Sequence, residues 1–213
     1  MSSQIKKGVL LTFEGIDGSG KSSAAQTVYA ALSSHYNVIL TREPGATPLG
    51  VSLRELVHHS PTPLCSRAEF LLFAADRAQH VTEVIVPHLS QGYIVISDRM
   101  ADSSVAYQGY GRGLDKEFIM AVNAWALQGV RPDATLYLHV DYETARERIE
   151  KRAEKPTALE QEQAVFFKRV AQGFDTLFKD RSDVFSIDAS MEKEQVHAFC
   201  IQRVVEFLTS RGL

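Results

Sequence analysis

Residues 15–22 read Gly15-Ile16-Asp17-Gly18-Ser19-Gly20-Lys21-Ser22, and this stretch decides the fold of the 213-residue chain. It follows the apolar run Val9-Leu10-Leu11-Thr12-Phe13, which is typical of a strand buried on both faces of a parallel sheet. A helical pattern begins at Gly20 and continues to about Ser34. The stretch fits G-x-x-x-x-G-K-[ST], a pattern that requires a strand before it and a helix after it. The sequence therefore predicts a phosphate-binding loop at residues 15–22.

The residue types of the phosphate-binding loop indicate its chemistry. Glycines let backbone N–H groups approach phosphate oxygens without interference from Cβ atoms, and the helix N-terminus adds a positive partial charge. Lys21 is expected on the β- and γ-phosphates of a nucleotide, and the Ser22 hydroxyl is expected to ligate Mg²⁺. Asp98 ends a later strand, where it can join the Mg²⁺ shell or simply cap the next segment. The residues expected to bind the nucleotide are Gly15, Ile16, Asp17, Gly18, Ser19, Gly20, Lys21, Ser22 and Ser23.

Short β-branched runs alternate with longer helical patterns along the rest of the chain. This alternation predicts an α/β fold with a parallel sheet and helices on both of its faces. Four further strands are expected, at 37–41, 93–97, 134–140 and 184–187, which makes five in all. Ligands of such sheets bind beyond the carboxyl ends of the strands, so the loops after the first four strands should share one face.

The connecting segments give three further predictions. A second glycine-rich loop is expected at Gly109–Gly113. Phe118, Val122 and Trp125 lie on one helical face, which is expected to belong to the core. Asp141 is expected to be the N-cap of the helix that follows the fourth strand.

Composition excludes several classes of protein. Hydrophobic residues make up 45% of the chain and charged residues 23%, which excludes a disordered chain, a coiled coil and a collagen-like repeat. The net charge of −3 gives no overall positive field, so no nucleic-acid partner is expected. Cys65 and Cys200 are too few and too far apart for a disulfide scaffold or a zinc site. Residues 1–7 lead into no apolar stretch, and no apolar run could span a membrane, so we expect a cytoplasmic protein with no membrane partner.

Three further segments narrow the function. They are Thr41-Arg42-Glu43-Pro44-Gly45-Ala46-Thr47-Pro48-Leu49-Gly50 with Arg54 after it, Leu72-Phe73-Ala74-Ala75-Asp76-Arg77, and Asp98-Arg99-Met100-Ala101-Asp102-Ser103-Ser104-Val105-Ala106-Tyr107-Gln108-Gly109. Together with the phosphate-binding loop, and in this order, they closely resemble the thymidylate kinases of the bacterial type. The resemblance implies a P-loop kinase fold with a five-stranded parallel sheet, in one domain over 1–213 with a lid at about 148–160. It also implies transfer of the ATP γ-phosphoryl group to dTMP with Mg²⁺, giving dTDP, and a homodimer.

The resemblance assigns roles around the phosphate and the sugar of dTMP. Asp17 matches the carboxylate that binds the sugar 3′-hydroxyl, and Tyr107 matches the residue that packs under C2′, where a ribose hydroxyl would clash. Arg54, Arg77 and Arg99 match residues around the acceptor phosphate. Arginine forks suit phosphate oxygens, since each charged hydrogen bond contributes about 1.5–3 kcal/mol.

The resemblance also assigns roles around the base. Phe73 matches the ring that stacks on thymine, Ser104 and Gln108 match residues that hydrogen-bond the base edge, and Arg77 matches a residue that can also reach the base. Taken singly, Phe73 would be an ordinary core residue and Arg77 a solvated helix residue. The order in which these residues occur together favours the binding roles.

The lid supplies the remaining cation in the bacterial-type family. Arg152 is the expected lid cation and Arg148 the second choice, although both could instead belong to a salt-bridged helix exterior. The family lid often continues with Asp-Arg-x-Glu, whereas this chain has Thr157-Ala158-Leu159-Glu160, in which only the Glu fits. Met100 and Ala46 also depart from the residues common at their positions. The residues expected to take part in catalysis are Lys21, Arg99, Arg152 and Asp17.

Two other functions remain alternatives. A kinase of this kind could instead act on another pyrimidine deoxynucleotide or on a deoxynucleoside, although the arginines favour an acceptor that already carries phosphate. A GTPase-like switch is disfavoured, because Asn37 and Asn123 are the only asparagines and neither begins an Asn-Lys-x-Asp motif.

Overall fold

The computed structural model describes residues 8–152 and 156–213. The predictions that concern residues 1–7, and the part of the predicted lid at 153–155, lie outside the described residues.

The described residues contain one five-stranded sheet in which all strand pairs are parallel. The strands follow the spatial order β2-β3-β1-β4-β5, with β1 in the centre and all six of its residues buried. This confirms the predicted α/β fold. The strands are β1 (Val9–Glu14), β2 (Val38–Arg42), β3 (Ile94–Asp98), β4 (Ala134–His139) and β5 (Val184–Asp188).

Helices cover both faces of the sheet. Successive residues of β1 point to opposite faces: Leu11 and Phe13 pack with side chains of α1, α8 and α9, and Leu10 packs with Val81 and Ile85. Two π-helical turns lie at Val81–Ile85 and Val105–Gly111. The α-helices are α1 (Lys21–Leu32), α2 (Pro48–His59), α3 (Ser66–His80), α4 (Val86–Ser90), α5 (Ala101–Ser104), α6 (Lys116–Leu127), α7 (Tyr142–Lys151), α8 (Ala164–Phe178) and α9 (Lys193–Ser210).

The termini of two helices follow from single side chains. Asp141 is the N-cap of α7 and accepts a hydrogen bond from the Thr144 amide at 2.8 Å, as predicted. Thr47 caps α2 in the same way through the Gly50 amide, with proline at the first helical position. The N-terminus of α2 is therefore fixed, and with it the direction in which the side chains of α2 point.

The prediction of a glycine-rich loop at Gly109–Gly113 was wrong for its first half. Residues up to Gly111 belong to the π-helical turn. A Cβ on Gly111 would lie 2.6 Å from the Phe166 ring and 2.8 Å from Val170, so this glycine allows close packing of the turn against α8. The sequence pattern alone does not distinguish a glycine required for close packing of two elements from a glycine required for a turn of the backbone.

The predicted core face of α6 was wrong for Phe118 and Trp125, whereas Val122 is partly buried and packs against the core. Trp125 is 80% exposed and Phe118 is 59% exposed, whereas Ile119, Asn123 and Ala126 are buried. α6 carries apolar residues on two sides, and the larger ones face away from the core. The buried side instead includes a polar residue, Asn123, whose Oδ1 accepts a hydrogen bond from Arg77.

The carboxyl ends of the strands lie at one edge of the sheet because all strand pairs are parallel. The loops that follow β1, β2, β3 and β4 therefore begin on the same side, which confirms that prediction. None of the helices in the described ranges is long and apolar enough to cross a membrane.

Candidate active site

A cleft of about 960 Å³ lies beyond the carboxyl edge of the sheet. Its walls come from the loops after β1, β2, β3 and β5, together with side chains of α2, α3, α7 and the Val105–Gly111 turn. Its polar lining includes several cations, among them Lys21, Arg54, Arg77, Arg99 and Arg148. The predicted site residues that line it are Asp17, Gly18, Ser19, Gly20, Lys21, Ser22, Ser23, Arg54, Phe73, Arg77, Asp98, Arg99, Ser104, Tyr107, Gln108 and Arg152.

The phosphate-binding loop forms one end of the cleft. Gly18 has a φ of +83°, and a Cβ there would collide with the Ala145 carbonyl oxygen, so only glycine fits. Two of the residues predicted to bind the nucleotide, Gly15 and Ile16, do not line the cleft. Ile16 packs into the core, and the Gly15 carbonyl oxygen accepts a hydrogen bond from Arg99 at 2.9 Å.

Lys21 is a buried cation at the centre of this loop. Its Nζ lies 3.4 Å from the Ile16 carbonyl oxygen and 3.5 Å from an Asp17 carboxylate oxygen. Burial lowers the pKa of Lys21, and the nearby charge of Arg99 lowers it further, while Asp17 opposes the shift. A phosphate bound in the loop would place negative charge beside Lys21 and so favour its protonated form.

Asp17, Arg99 and Tyr107 form a connected cluster beside the loop. Arg99 Nη2 donates to Asp17 Oδ1 at 2.6 Å and to the Tyr107 hydroxyl oxygen at 3.0 Å, and that hydroxyl donates to Asp17 Oδ2 at 2.9 Å. Burial would raise the pKa of Asp17, but the charges of Arg99 and Lys21 outweigh it and hold that pKa far below its usual range. Asp17 is therefore a fixed, ionised acceptor at the cleft wall.

Glu14 stabilises the backbone turn next to this cluster, and sequence analysis missed it. Its carboxylate accepts hydrogen bonds from the Met100 amide at 2.8 Å and from the Ser103 hydroxyl. These bonds hold the turn that carries Arg99, whose φ of +71° is unusual for a residue other than glycine. Burial, with the nearby charge of Asp102, raises the pKa of Glu14 to about 7.

Arg77 is almost completely buried, with 1% exposure, rather than solvated. Its Nε donates to Glu43 at 2.9 Å and its Nη1 to Asn123 at 2.6 Å. Its Nη2 donates to the Met100 carbonyl oxygen at 3.2 Å and to the Ser104 hydroxyl oxygen at 3.1 Å. Since a guanidinium group has five N–H donors, one remains for a ligand.

Arg54 and Phe73 reach the cleft from α2 and α3. Arg54 Nη1 donates to the Pro44 carbonyl oxygen at 2.9 Å, so the helix is tied to the loop that follows β2. Burial, with the charge of Arg42, lowers the pKa of Arg54. Phe73 is half-buried, which leaves part of its ring available to a ligand.

The residues predicted to hold Mg²⁺ fit that ion. One oxygen of Asp98 is buried and has no hydrogen-bond partner in 8–152 or 156–213, and Ser22 lines the same cleft. The same ranges contain no group of three His, Cys, Asp or Glu side chains that could hold a metal by themselves. Mg²⁺ keeps several waters and takes few protein ligands, so a carboxylate and a hydroxyl next to bound phosphates suit it.

The end of α7 brings both predicted lid arginines to the cleft. Arg152 donates to both carboxylate oxygens of Glu160, each at 2.9 Å, and Glu160 also accepts from the Thr157 amide at 2.8 Å. Arg148 lines the cleft and forms no ion pair with any residue that the structure describes. Glu160, the residue that fits the family lid pattern, therefore fixes the position of Arg152.

Two parts of the cleft were missed by sequence analysis. Ser190, Met191 and His197 belong to a wall that follows β5, and the rule that ligands bind beyond strand ends could have identified it. His58 lies one helical turn after Arg54, and both of its ring nitrogens are buried without a hydrogen-bond partner among the described residues. Burial, with the charge of Arg54, lowers the pKa of His58 to about 4.

Comparisons with known proteins agree on one family. Residues 13–200 match the family model for thymidylate kinase. The chain is 44% identical over 196 residues to the thymidylate kinase of Halothermothrix orenii, covering 90% of this chain and 93% of that protein. It is 41% identical over 213 residues to the thymidylate kinase of Desulfovibrio desulfuricans, covering 96% and 98%. The crystal structure of thymidylate kinase from Ehrlichia chaffeensis is similar with a TM-score of 0.76 at 34% identity, covering 95% of this chain and 98% of that chain.

Proposed function

The chain belongs to the thymidylate kinase family, and we propose that its cleft holds ATP and dTMP end to end, with fixed cations between them. It has the P-loop kinase fold and is an ATP-dependent enzyme that phosphorylates dTMP to dTDP. The observation that carries the arrangement is the single cleft that joins the phosphate-binding loop to the Asp17–Arg99–Tyr107 cluster.

ATP is proposed to occupy the half of the cleft next to α1. Its triphosphate lies in the phosphate-binding loop, where backbone N–H groups, the N-terminus of α1 and Lys21 meet phosphate oxygens. Its nucleoside extends toward the wall that follows β5, where Ser190 and His197 lie.

The monophosphate acceptor is proposed to occupy the other half. Arg54 and Arg99 face the acceptor phosphate, and Phe73 offers an aromatic face to the base. Asp17 accepts a hydrogen bond from the sugar 3′-hydroxyl, which its ionised state favours. Tyr107 packs under C2′, and the last donor of Arg77 is available to the phosphate or the base.

Catalysis is proposed to depend on charge neutralisation. An oxygen of the acceptor phosphate attacks the γ-phosphorus of ATP, and the bond from that phosphorus to the β–γ bridging oxygen breaks, which releases ADP. Lys21 and Arg99 stabilise the charge on the transferring group from the sheet side, and Arg152 does so from the lid at about 148–160. Arg152 must first exchange its contacts with Glu160 for contacts with phosphate, so closure of the lid and neutralisation are one event.

Mg²⁺ is the proposed metal cofactor, with Ser22 and Asp98 next to it. Ser22 and Asp98 would hold the ion, which would supply positive charge that neutralises part of the charge on the ATP phosphates. The buried, unpartnered oxygen of Asp98 supports this proposal.

A homodimer of one-domain subunits in the cytoplasm completes the proposal. α3 and α6 pack against each other, and their exposed side chains include Leu71, Phe118 and Trp125. Apolar side chains exposed together on neighbouring helices are typical of a subunit interface. Cys65 and Cys200 are both free thiols, as is usual in a reducing compartment.

An assay coupled to ADP formation tests the function. The purified protein is given ATP and one of dTMP, dUMP, dCMP, dGMP or thymidine. We expect dTMP to have the highest kcat/KM and thymidine to be inert, because the arginines need an acceptor phosphate. Preferred phosphorylation of thymidine or of another monophosphate would contradict the proposed acceptor. Lys21→Ala should abolish turnover with dTMP while the fold survives.

A further inference from the structure

We propose that Glu69 fixes the orientation of the Gln108 side-chain amide and thereby makes the acceptor site select pyrimidines that carry a hydrogen on N3. Glu69 is a positioning residue in this proposal, since it acts on the base only through Gln108. The proposal rests on the proposed function, in which Gln108 faces the edge of the acceptor base.

The contact between the two side chains is short and buried. Glu69 lies on α3 and Gln108 on the Val105–Gly111 turn, and both are at most 5% exposed. Gln108 Nε2 lies 2.8 Å from Glu69 Oε1. An ionised carboxylate only accepts hydrogen bonds, so the amide nitrogen must be the atom that faces Glu69.

This orientation leaves the amide oxygen for a ligand. Gln108 lines the cleft, and its Oε1 accepts no hydrogen bond from the residues that the structure describes. Because the amide nitrogen is fixed on one side, the group presented on the other side is an acceptor. A ring N–H is the natural partner for such an acceptor.

Ser104 supplies the complementary donor. Its hydroxyl oxygen accepts a hydrogen bond from Arg77 Nη2 at 3.1 Å, so its own hydrogen is available to a ligand. Ser104 lines the cleft one helical turn before Gln108. The two side chains therefore offer an acceptor and a donor to a base edge.

Thymine and uracil fit this pattern, and cytosine does not. Their N3–H donates toward the Gln108 oxygen, and a neighbouring carbonyl oxygen accepts from Ser104. Cytosine has an unprotonated N3, which would face the amide oxygen as a second acceptor, and an amino group in place of the carbonyl at C4. A site with buried polar groups rejects such a mismatch because those groups lose their partners.

Arg112 holds the Glu69 carboxylate in place. Its Nη2 donates to Glu69 Oε2 at 2.8 Å and its Nε to Oε1 at 3.2 Å. Arg112 also pairs with Glu162, and its guanidinium lies over the Phe166 ring. A carboxylate held by an arginine in this way cannot turn away from Gln108 without breaking two charged hydrogen bonds.

The test compares two acceptors of the same size, dTMP and 5-methyl-dCMP, which differ only in the donors and acceptors of the base edge. The wild-type enzyme is expected to prefer dTMP strongly in kcat/KM. In Glu69→Gln the neighbour can donate as well as accept, so the Gln108 amide can take either orientation. We expect the preference for dTMP to fall about 10- to 100-fold.

Matched variants separate positioning from general destabilisation. Glu162→Gln also removes a negative partner of Arg112 but does not touch Gln108, so it should keep the wild-type preference. Glu69→Asp keeps an acceptor-only group and should retain more of the preference than Glu69→Gln. Thermal unfolding and the KM for ATP, measured for each variant, report whether the fold and the ATP half are intact.

The outcomes distinguish this proposal from the proposed function. An unchanged preference in folded Glu69→Gln would overturn the role of Glu69 while leaving dTMP as the acceptor. A wild-type enzyme that phosphorylates neither acceptor would instead contradict the proposed function. If Glu69→Gln does not fold, the wild-type comparison decides, since equal kcat/KM for the two acceptors would overturn an oriented amide.

Discussion

At the scale of single residues, the cleft depends on buried polar side chains whose partners fix their state. The Tyr107 hydroxyl shows this, because it donates to Asp17, accepts from Arg99 and also accepts from the Asp17 amide. We therefore propose different tasks for the two groups: the ring fills the space under the sugar, and the hydroxyl holds Asp17.

Tyr107→Phe separates these two tasks. The phenylalanine ring keeps the steric barrier to a 2′-hydroxyl, so discrimination against the ribonucleotide 5-methyl-UMP should persist. The loss of hydrogen bonds to Asp17 and Arg99 should lower kcat/KM for dTMP by about tenfold. Steady-state kinetics with both acceptors measure the two effects, and Tyr110→Phe is the matched control. A relaxed sugar preference in Tyr107→Phe would contradict the assignment.

We expect His58 to make the free energy of unfolding depend on pH. Its pKa is about 4 in the folded protein, below the ordinary value of 6.5. Between these two values the unfolded chain binds more protons at this site than the folded one, so the free energy of unfolding falls as the pH is lowered from 6.5 to 4. His58→Leu lacks this group, so its free energy of unfolding should gain about 3 kcal/mol relative to wild type as the pH falls across that range.

Denaturant unfolding at a series of pH values measures this difference. His59→Leu, at the neighbouring exposed ring, is the control. Parallel pH curves for His58→Leu and wild type would show that His58 titrates alike in the folded and unfolded states.

At the scale of elements, the proposed lid includes the C-terminal end of α7 and its C-cap, Arg152. Arg152→Ala should lower kcat by at least tenfold and leave the Kd for dTMP almost unchanged, because its proposed contact is with the transferring phosphoryl group. Lys151→Ala removes an adjacent exposed cation that pairs with Glu147 and should behave as wild type. A wild-type kcat for Arg152→Ala together with a slow Arg148→Ala would move the lid cation to Arg148.

The elements also show how far the sequence could predict the fold and the site. The strands were predictable because a buried parallel strand is a continuous apolar run, as in Val9–Phe13. The orientation of α6 was not, because apolar residues occur on two of its sides and only packing decides that Asn123 turns inward toward Arg77. The same holds for Gly111, whose role depends on Phe166, a residue far away in sequence.

Site residues with a local pattern were easier to predict than those without one. Lys21 and Ser22 follow from one continuous motif, and both line the cleft. Glu14 and Glu69 form hydrogen bonds with residues distant in sequence, so no spacing reveals them. Arg77 lines the cleft, but its burial and its four contacts could not be predicted from its position on a helix.

At the scale of the whole molecule, the exposed apolar side chains of α3 and α6 form the surface that we propose as the dimer interface. Trp125→Glu places a charge on the surface proposed as the dimer interface and should shift the protein from dimer to monomer. Sedimentation equilibrium measures the mass. Phe199→Glu, at an exposed apolar residue of α9, should leave the mass unchanged. A dimer that persists in Trp125→Glu would place the interface elsewhere.

The central claim is that two anionic nucleotides meet in one cleft with cations between them. A crystal structure with dTMP and a non-hydrolysable ATP analogue tests it most directly. We expect an oxygen of the dTMP phosphate about 3–3.5 Å from the γ-phosphorus, with Lys21 and Arg99 in contact with phosphate oxygens. A monophosphate bound away from Arg77 and Arg99, or a nucleotide absent from Lys21, would contradict the claim.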